Sequence, residues 1–129
     1  MISRCVWIAD AVPETLGQKQ ERFSTALATL IRLLNEAGYG VRLKEVWRTP
    51  EQAALNAQTG KGIANSLHCV SLAADMYLSR FGAMVPETKT DYAPMGNIWK
   101  SLGPDHAWGG DFARLNDIYH ISIRHEGRA

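Results

Sequence analysis

The sequence predicts an α+β fold with a small, mostly antiparallel sheet, a long N-terminal helix and further short helices. Three observations predict it. A long apolar stripe at helical spacing comes early, a few short strand-like runs follow, and the connections between them are irregular rather than repeating strand–helix units.

The first helix carries the clearest signal. Thr15 with Gln18 three residues on has the form of a capping box. Phe23, Leu27, Leu30, Ile31 and Leu34 then recur at helical spacing until Gly38 supplies a stop. That stripe is expected to be core. After the Gly-Tyr-Gly turn, "VRLKEVWR" (41–48) begins as a strand, with Val41 and Leu43 on one face and Arg42 and Lys44 on the other. Pro50 opens a short helix, "PEQAALNAQ", because proline suits a first helical turn. "LAADMYLS" (72–79) is the second strand and "DIYHISIR" (117–124) the third. "MGNIWKSLG" (95–103) reads as a short helix ended by Gly103 and Pro104. With no internal repeat or low-complexity tract, residues 1–129 read as one domain, a length that buries about 65–70% of the unfolded surface.

Composition narrows the function classes. The chain is 46% hydrophobic and 21% charged, as globular proteins are, and its net charge is +1 with Lys and Arg scattered rather than clustered. Nucleic acid and anionic membranes are therefore not favoured partners. The N-terminal stretch meets Asp10 and Pro13 before a signal-peptide core can form, and no apolar run approaches ~18 residues, so neither secretion by its own signal nor membrane insertion is expected. Cys5 and Cys69 are too few for a disulfide framework and lack a C-x-x-C spacing, which fits a reducing compartment and two small buried apolar side chains.

Two polar stretches stand out on this frame, "SLHCVSLAAD" (66–75) and "WGGDFARLNDIYH" (108–120). In the second strand Asp75 shares a face with Ala73 and Tyr77, while Ala74, Met76 and Leu78 face the other way. In the third, His120 lies with Ser122 and Arg124, opposite Tyr119, Ile121 and Ile123. If these strands are neighbours, Asp75 and His120 converge, and His68 reaches them from the loop before the second strand. Two His and one carboxylate around an open fourth position form a coordination set known for catalytic zinc. The spacing alone does not separate a ligand from a hydrogen-bonded structural histidine. Asp117, just before His120, is placed to serve as a general base toward water. Residues three apart in a strand point to opposite faces, so Asp117 is expected in the turn before it.

"SLHCVSLAAD" resembles the Ser-x-His-x-x-Gly-x-Ala-x-Asp signature of the zinc peptidases that include D-alanyl-D-alanine carboxypeptidases, VanX-type dipeptidases and phage L-alanyl-D-glutamate endopeptidases. "WGGDF" followed by Asp-x-x-His resembles the second signature of that family, and "VWRTPEQ" its Arg-containing strand end. The likeness spans roughly residues 16 to 124, and the length and the "GKGIANSLH" lead-in are most similar to short phage and prophage endolysins. The resemblance implies that His68, Asp75 and His120 bind zinc on the sheet face. It makes Asp117 the catalytic base, Arg48 the cation that steadies substrate or tetrahedral intermediate, and Ser66 a residue beside the substrate. A plainer role for Ser66 is a turn-forming side chain bonded to local backbone. Ser71 departs from the pattern, which has Gly there, and Gly is needed only for a positive φ or a close backbone approach. His106 and His125 read as surface residues or supports of the ligands, and Trp108 as a cleft wall with Gly109 and Gly110 turning beneath it.

The implied activity is zinc-dependent hydrolysis of the peptidoglycan stem peptide, at the L-Ala–D-Glu bond, with D-alanyl-D-alanine carboxypeptidase or dipeptidase action as the alternative. A catalytically silent zinc module that binds wall peptide is a different class, which has no need of Asp117. A His-Asn-His nuclease built on His106, Asn116 and His120 lacks the basic groove it requires. The resemblance further implies a monomer made in the bacterial cytoplasm that reaches the cell wall after release, with a phage holin as the route.

Overall fold

The computed structural model describes residues 12–60, 66–114 and 116–129; Cys5 and most of the lead-in to His68 lie outside them. Helix α1 spans Leu16–Glu36 and opens on the expected capping box, with the Thr15 hydroxyl accepting from Gln18 N and the Gln18 amide oxygen from Thr15 N. Strand β1 (Tyr39–Glu45) follows, then α2 (Pro50–Gln58), a 3-10 turn at Leu67–Val70, β2 (Ala73–Arg80) and β3 (Ala83–Met84). Helix α3 (Lys89–Ser101), β4 (His106–Trp108), a second 3-10 turn at Gly109–Asp111 and β5 (His120–Ile123) follow. Among the described residues every strand pairing is antiparallel, in the order β1-β2-β5-β4 with β3 also on β2, so the α+β expectation holds.

Both long helices cover one face of the sheet. Phe23, Leu30 and Leu34 of α1 and Tyr92, Met95 and Trp99 of α3 pack with Met76, Leu78, Ile121 and Ile123 in a single core. Phe23 meets Trp99 edge to face, 5.5 Å between centroids. Burying each such side chain contributes about 1.5–3 kcal/mol, which outweighs helix propensity in fixing where α1 lies. Buried polar groups in this layer are paired: the Trp99 indole N–H donates to Ser122 O, and Leu78 N donates to the Tyr92 hydroxyl.

Several boundaries differ from the expectation for identifiable reasons. Helix α3 begins six residues early, at a Thr88 cap that accepts from Asp91 N, and continues through Pro94, whose missing N–H argues against a helix when the sequence is read alone. Leu43 lies on the apolar side of β1 as expected yet is 53% exposed, because β1 is an edge strand. Two short strands escape sequence reading altogether, since β3 has two residues and β4 three. Helix α2 matches the expected "PEQAALNAQ" span.

The loop ahead of β2 shows what the departure at Ser71 involves. Ser71 caps the first 3-10 turn at φ 56°, ψ 39°, the left-handed region, and its N–H bonds back to His68 O. An L-residue there costs about 1–2 kcal/mol, while a glycine adds about 0.4–1 kcal/mol of unfolded-chain entropy. Ser71→Gly is therefore expected to raise the melting temperature by a few degrees; a fall measured by thermal circular dichroism would contradict the strain account.

Candidate metal centre

The polar residues meet on the face of the sheet opposite the two long helices. β2 and β5 pair Asp75 directly with His120, and the turn at Leu67–Val70 brings His68 in from above. His68 Nε2 and His120 Nδ1 each stand 3.4 Å from Asp75 Oδ1, and the three residues each offer a ligand atom within 4.8 Å of the other two. Bonds of ~2.0–2.1 Å at tetrahedral angles put neighbouring ligand atoms about 3.4 Å apart, so both edges to Asp75 are compatible with a shared ion. A direct hydrogen bond would be nearer ~2.9 Å.

Burial strengthens the fit. His68 is 2% exposed and His120 6%, while His68 Nδ1, Asp75 Oδ1 and His120 Nε2 are buried without a hydrogen-bond partner among the described residues. Unpaired buried polar atoms each cost about 1–3 kcal/mol, and a cation held by Asp75 Oδ1 would offset the cost at that atom. Burial alone would push the Asp75 carboxyl up, but the facing imidazoles of His120 and His68 hold it well below the usual carboxylate range. The donor set of two imidazoles and one carboxylate suits zinc and other first-row divalent ions.

Asp117 occupies the turn expected of it. His120 N donates to Asp117 O at 3.2 Å, and β5 begins only at His120, which removes the conflict between a three-residue spacing and strand alternation. Burial raises the Asp117 carboxyl above its ordinary value, and the Asp75 charge raises it further. Gly109 makes this turn possible: a Cβ there would lie 2.1 Å from Asp117 O and 2.9 Å from the His120 Cβ. Its function is close backbone approach.

Other predicted residues have observed contacts of a different kind. Ser66 is buried, and its hydroxyl accepts from His68 N at 3.2 Å, which is the local backbone role. Arg48 N donates to His68 O at 3.2 Å, while its guanidinium bonds Glu45 Oε1 through Nε at 2.9 Å and through Nη2. Trp108 does not wall the site: it pairs with Ile121 on the helix-covered face, packs against Gly96 of α3, and donates its indole N–H to Ile118 O. His106 lies on that same face, 4% exposed, with its ring 4.1 Å from Trp99 and Nδ1 2.9 Å from Trp99 O, so the surface assignment is corrected. The covering helix that hides both residues could not be inferred without β4. His125 is peripheral, beside Lys19 and Glu126. Cys69 is half-buried rather than buried, its thiol 3.9 Å from Thr49 O.

Two residues near the centre went unrecognised in the sequence. Lys44 stands over the Tyr77 ring at 5.4 Å and near the Tyr119 ring at 5.8 Å, adding a cation beside the centre. Glu45 pairs with Asp75 because the register shifts between Leu43 and Glu45. Strict alternation would have left Glu45 on the apolar face with Val41 and Leu43; the bulge turns it toward the histidines.

Comparison with known proteins agrees on the architecture. No family model matches the chain, and no curated protein matches it by sequence. Among solved structures, the Serratia marcescens L-Ala D-Glu endopeptidase ChiX superimposes with a TM-score of 0.62 over 76% of this chain and 77% of its own, at 20% identity. At that identity the likeness shows a shared fold. Among the described residues no helix is long and apolar enough to cross a membrane.

Proposed function

We propose that this protein is a zinc-dependent peptidase of the bacterial cell wall that hydrolyses the peptidoglycan stem peptide between L-Ala and D-Glu. The observation that carries the reading is the buried His68, Asp75, His120 group with a second, raised carboxylate, Asp117, beside it. The shared fold with an endopeptidase named for that bond supports the choice of substrate, as do the sequence signatures around the same residues.

In this reading His68, Asp75 and His120 would hold zinc, which would supply Lewis acidity toward a peptide carbonyl and acidify a water molecule. Asp117 accepts the proton from that water on its carboxylate and returns it to the departing amine. Its raised proton affinity suits both directions of transfer, since a base nearer neutrality is also a competent acid. The Arg48 guanidinium has donors beyond the Nε and Nη2 used by Glu45, and these serve a substrate carboxylate or the developing oxyanion. A module that only bound wall peptide would have no use for a buried carboxylate beside the metal ligands. The protein would be made in the cytoplasm, act on the wall after release, and work as a monomer.

Digestion of purified peptidoglycan followed by mass spectrometry tests the assignment. A new amino-terminal D-Glu is the expected product. Release of free D-Ala or D-Ala-D-Ala would establish the carboxypeptidase or dipeptidase alternative instead, and peptide retention without cleavage, with or without chelator, would establish the binding module.

A further inference from the structure

We infer that Glu45, clamped by Arg48, is the positioning residue of the metal centre, fixing the ring of His68 through Nδ1 so that Nε2 presents its lone pair to the ion. This rests on the metal-site reading, yet assigns a role outside the three ligands, the base and the substrate cation.

Three independent observations converge on it. His68 Nε2 is directed at Asp75, 3.4 Å away, so ligation through that atom requires the proton to sit on Nδ1. Among the described residues Nδ1 is buried without a hydrogen-bond partner, and a carboxylate oxygen near it is Glu45 Oε1, 3.8 Å away, about 1 Å beyond an ordinary N–H···O contact. The same oxygen receives two guanidinium donors of Arg48, whose side chain is 12% exposed. Arg48 is tied in turn to the His68 turn through its backbone N–H to His68 O. Arg48 and Glu45 together thus link His68 O to a carboxylate oxygen that stands 3.8 Å from His68 Nδ1.

The bulge in β1 is what turns Glu45 to the face of the sheet that carries Asp75. Without the extra residue between Leu43 and Glu45, Glu45 would point into the layer beneath the sheet. Arg48 also neutralises Glu45, so the ligand side gains an oriented imidazole without an uncompensated second carboxylate beside Asp75. Carboxylate–imidazole–metal arrangements fix tautomer and ring orientation, and losing the outer carboxylate weakens metal affinity about 10–100-fold.

The test measures metal and tautomer without any substrate, so it is separable from the peptidase reading. Zinc affinity is measured by competition with a chromophoric chelator for the wild type, Glu45→Gln and Glu45→Ala. The His68 tautomer is read in the metal-free wild type by long-range nitrogen–proton NMR. The expected result is a Nδ1–H tautomer in the wild type and zinc binding weakened about 10–100-fold in Glu45→Ala. The near-isosteric Glu45→Gln, which preserves packing if the alanine variant fails to fold, is expected to fall between them. A wild-type His68 protonated on Nε2, or a folded Glu45→Gln with zinc affinity and cobalt absorption spectrum unchanged from wild type, would overturn the inference. A wild type that binds no zinc overturns it together with the metal site, whereas tight, Glu45-dependent zinc binding without peptide cleavage would sustain it while sinking the proposed activity.

Discussion

Asp117→Asn is expected to lower stem-peptide turnover by about 10²–10⁴-fold while leaving zinc content and fold intact, which is the usual contribution of a positioned base. Asp117 is not among the three ligand atoms that cluster, and its backbone already has a structural task in the Gly109 and His120 turn that an amide side chain does not disturb. Its carboxyl is raised in the folded chain, first by burial and then by Asp75. A carboxylate with a raised folded pKa costs stability once pH exceeds its unfolded value, near 3.9, and the cost is complete above the folded value. Metal-free Asp117→Asn should consequently be at least as stable as metal-free wild type at neutral pH, the usual exchange of stability for activity at a catalytic residue. Measured kcat/KM of the wild type should fall as pH drops through the raised value. Zinc lost along with activity would make Asp117 a ligand or support, and activity above about a tenth of wild type would assign the proton to another group. His106, on the far side of the sheet, is not a candidate for it.

His68→Ala and His120→Ala have the second large effect, loss of the ion itself and of all turnover that depends on it. Each removes one of three donors, and a site reduced to one imidazole and one carboxylate no longer competes with water for zinc. The two variants differ in expected side effects. His68 sits on a 3-10 turn whose backbone is held by Ser66 and Arg48, so its removal should leave the sheet undisturbed. His120 lies in β5 against Phe112 and Asp75, so its truncation also opens a cavity, and a lower melting temperature is expected there. Elemental analysis of the purified variants checks the metal, and stoichiometric zinc in both would sink the ligand assignment.

How much of this was legible in the sequence follows from the range of each signal. The α1 stripe, its capping box and the Pro50 helix are local patterns, and the structure has them. Period-2 alternation placed Asp75 and His120 on polar faces, and their pairing needed only that β2 and β5 be neighbours. What stayed hidden depends on long-range packing or on breaks in periodicity. Gly96 reads as a plain helix residue until Trp108 is seen pressing on it, and with it the burial of His106 beneath α3. Glu45 is invisible because a one-residue bulge reverses its face, and alternation carries no information about where a bulge falls. Ser71 had the converse history: the departure from Gly asked whether φ is positive there, and it is.

The central claim is that His68, Asp75 and His120 hold one catalytic zinc, and its most direct test is reconstitution. Protein stripped with chelator is titrated with zinc while cleavage of a stem peptide is followed. The account predicts no turnover at the start, a linear rise, and a sharp break at about one equivalent per chain, with His68→Ala giving no rise at all. Turnover that persists in the stripped protein, or that rises equally in His68→Ala, would contradict it.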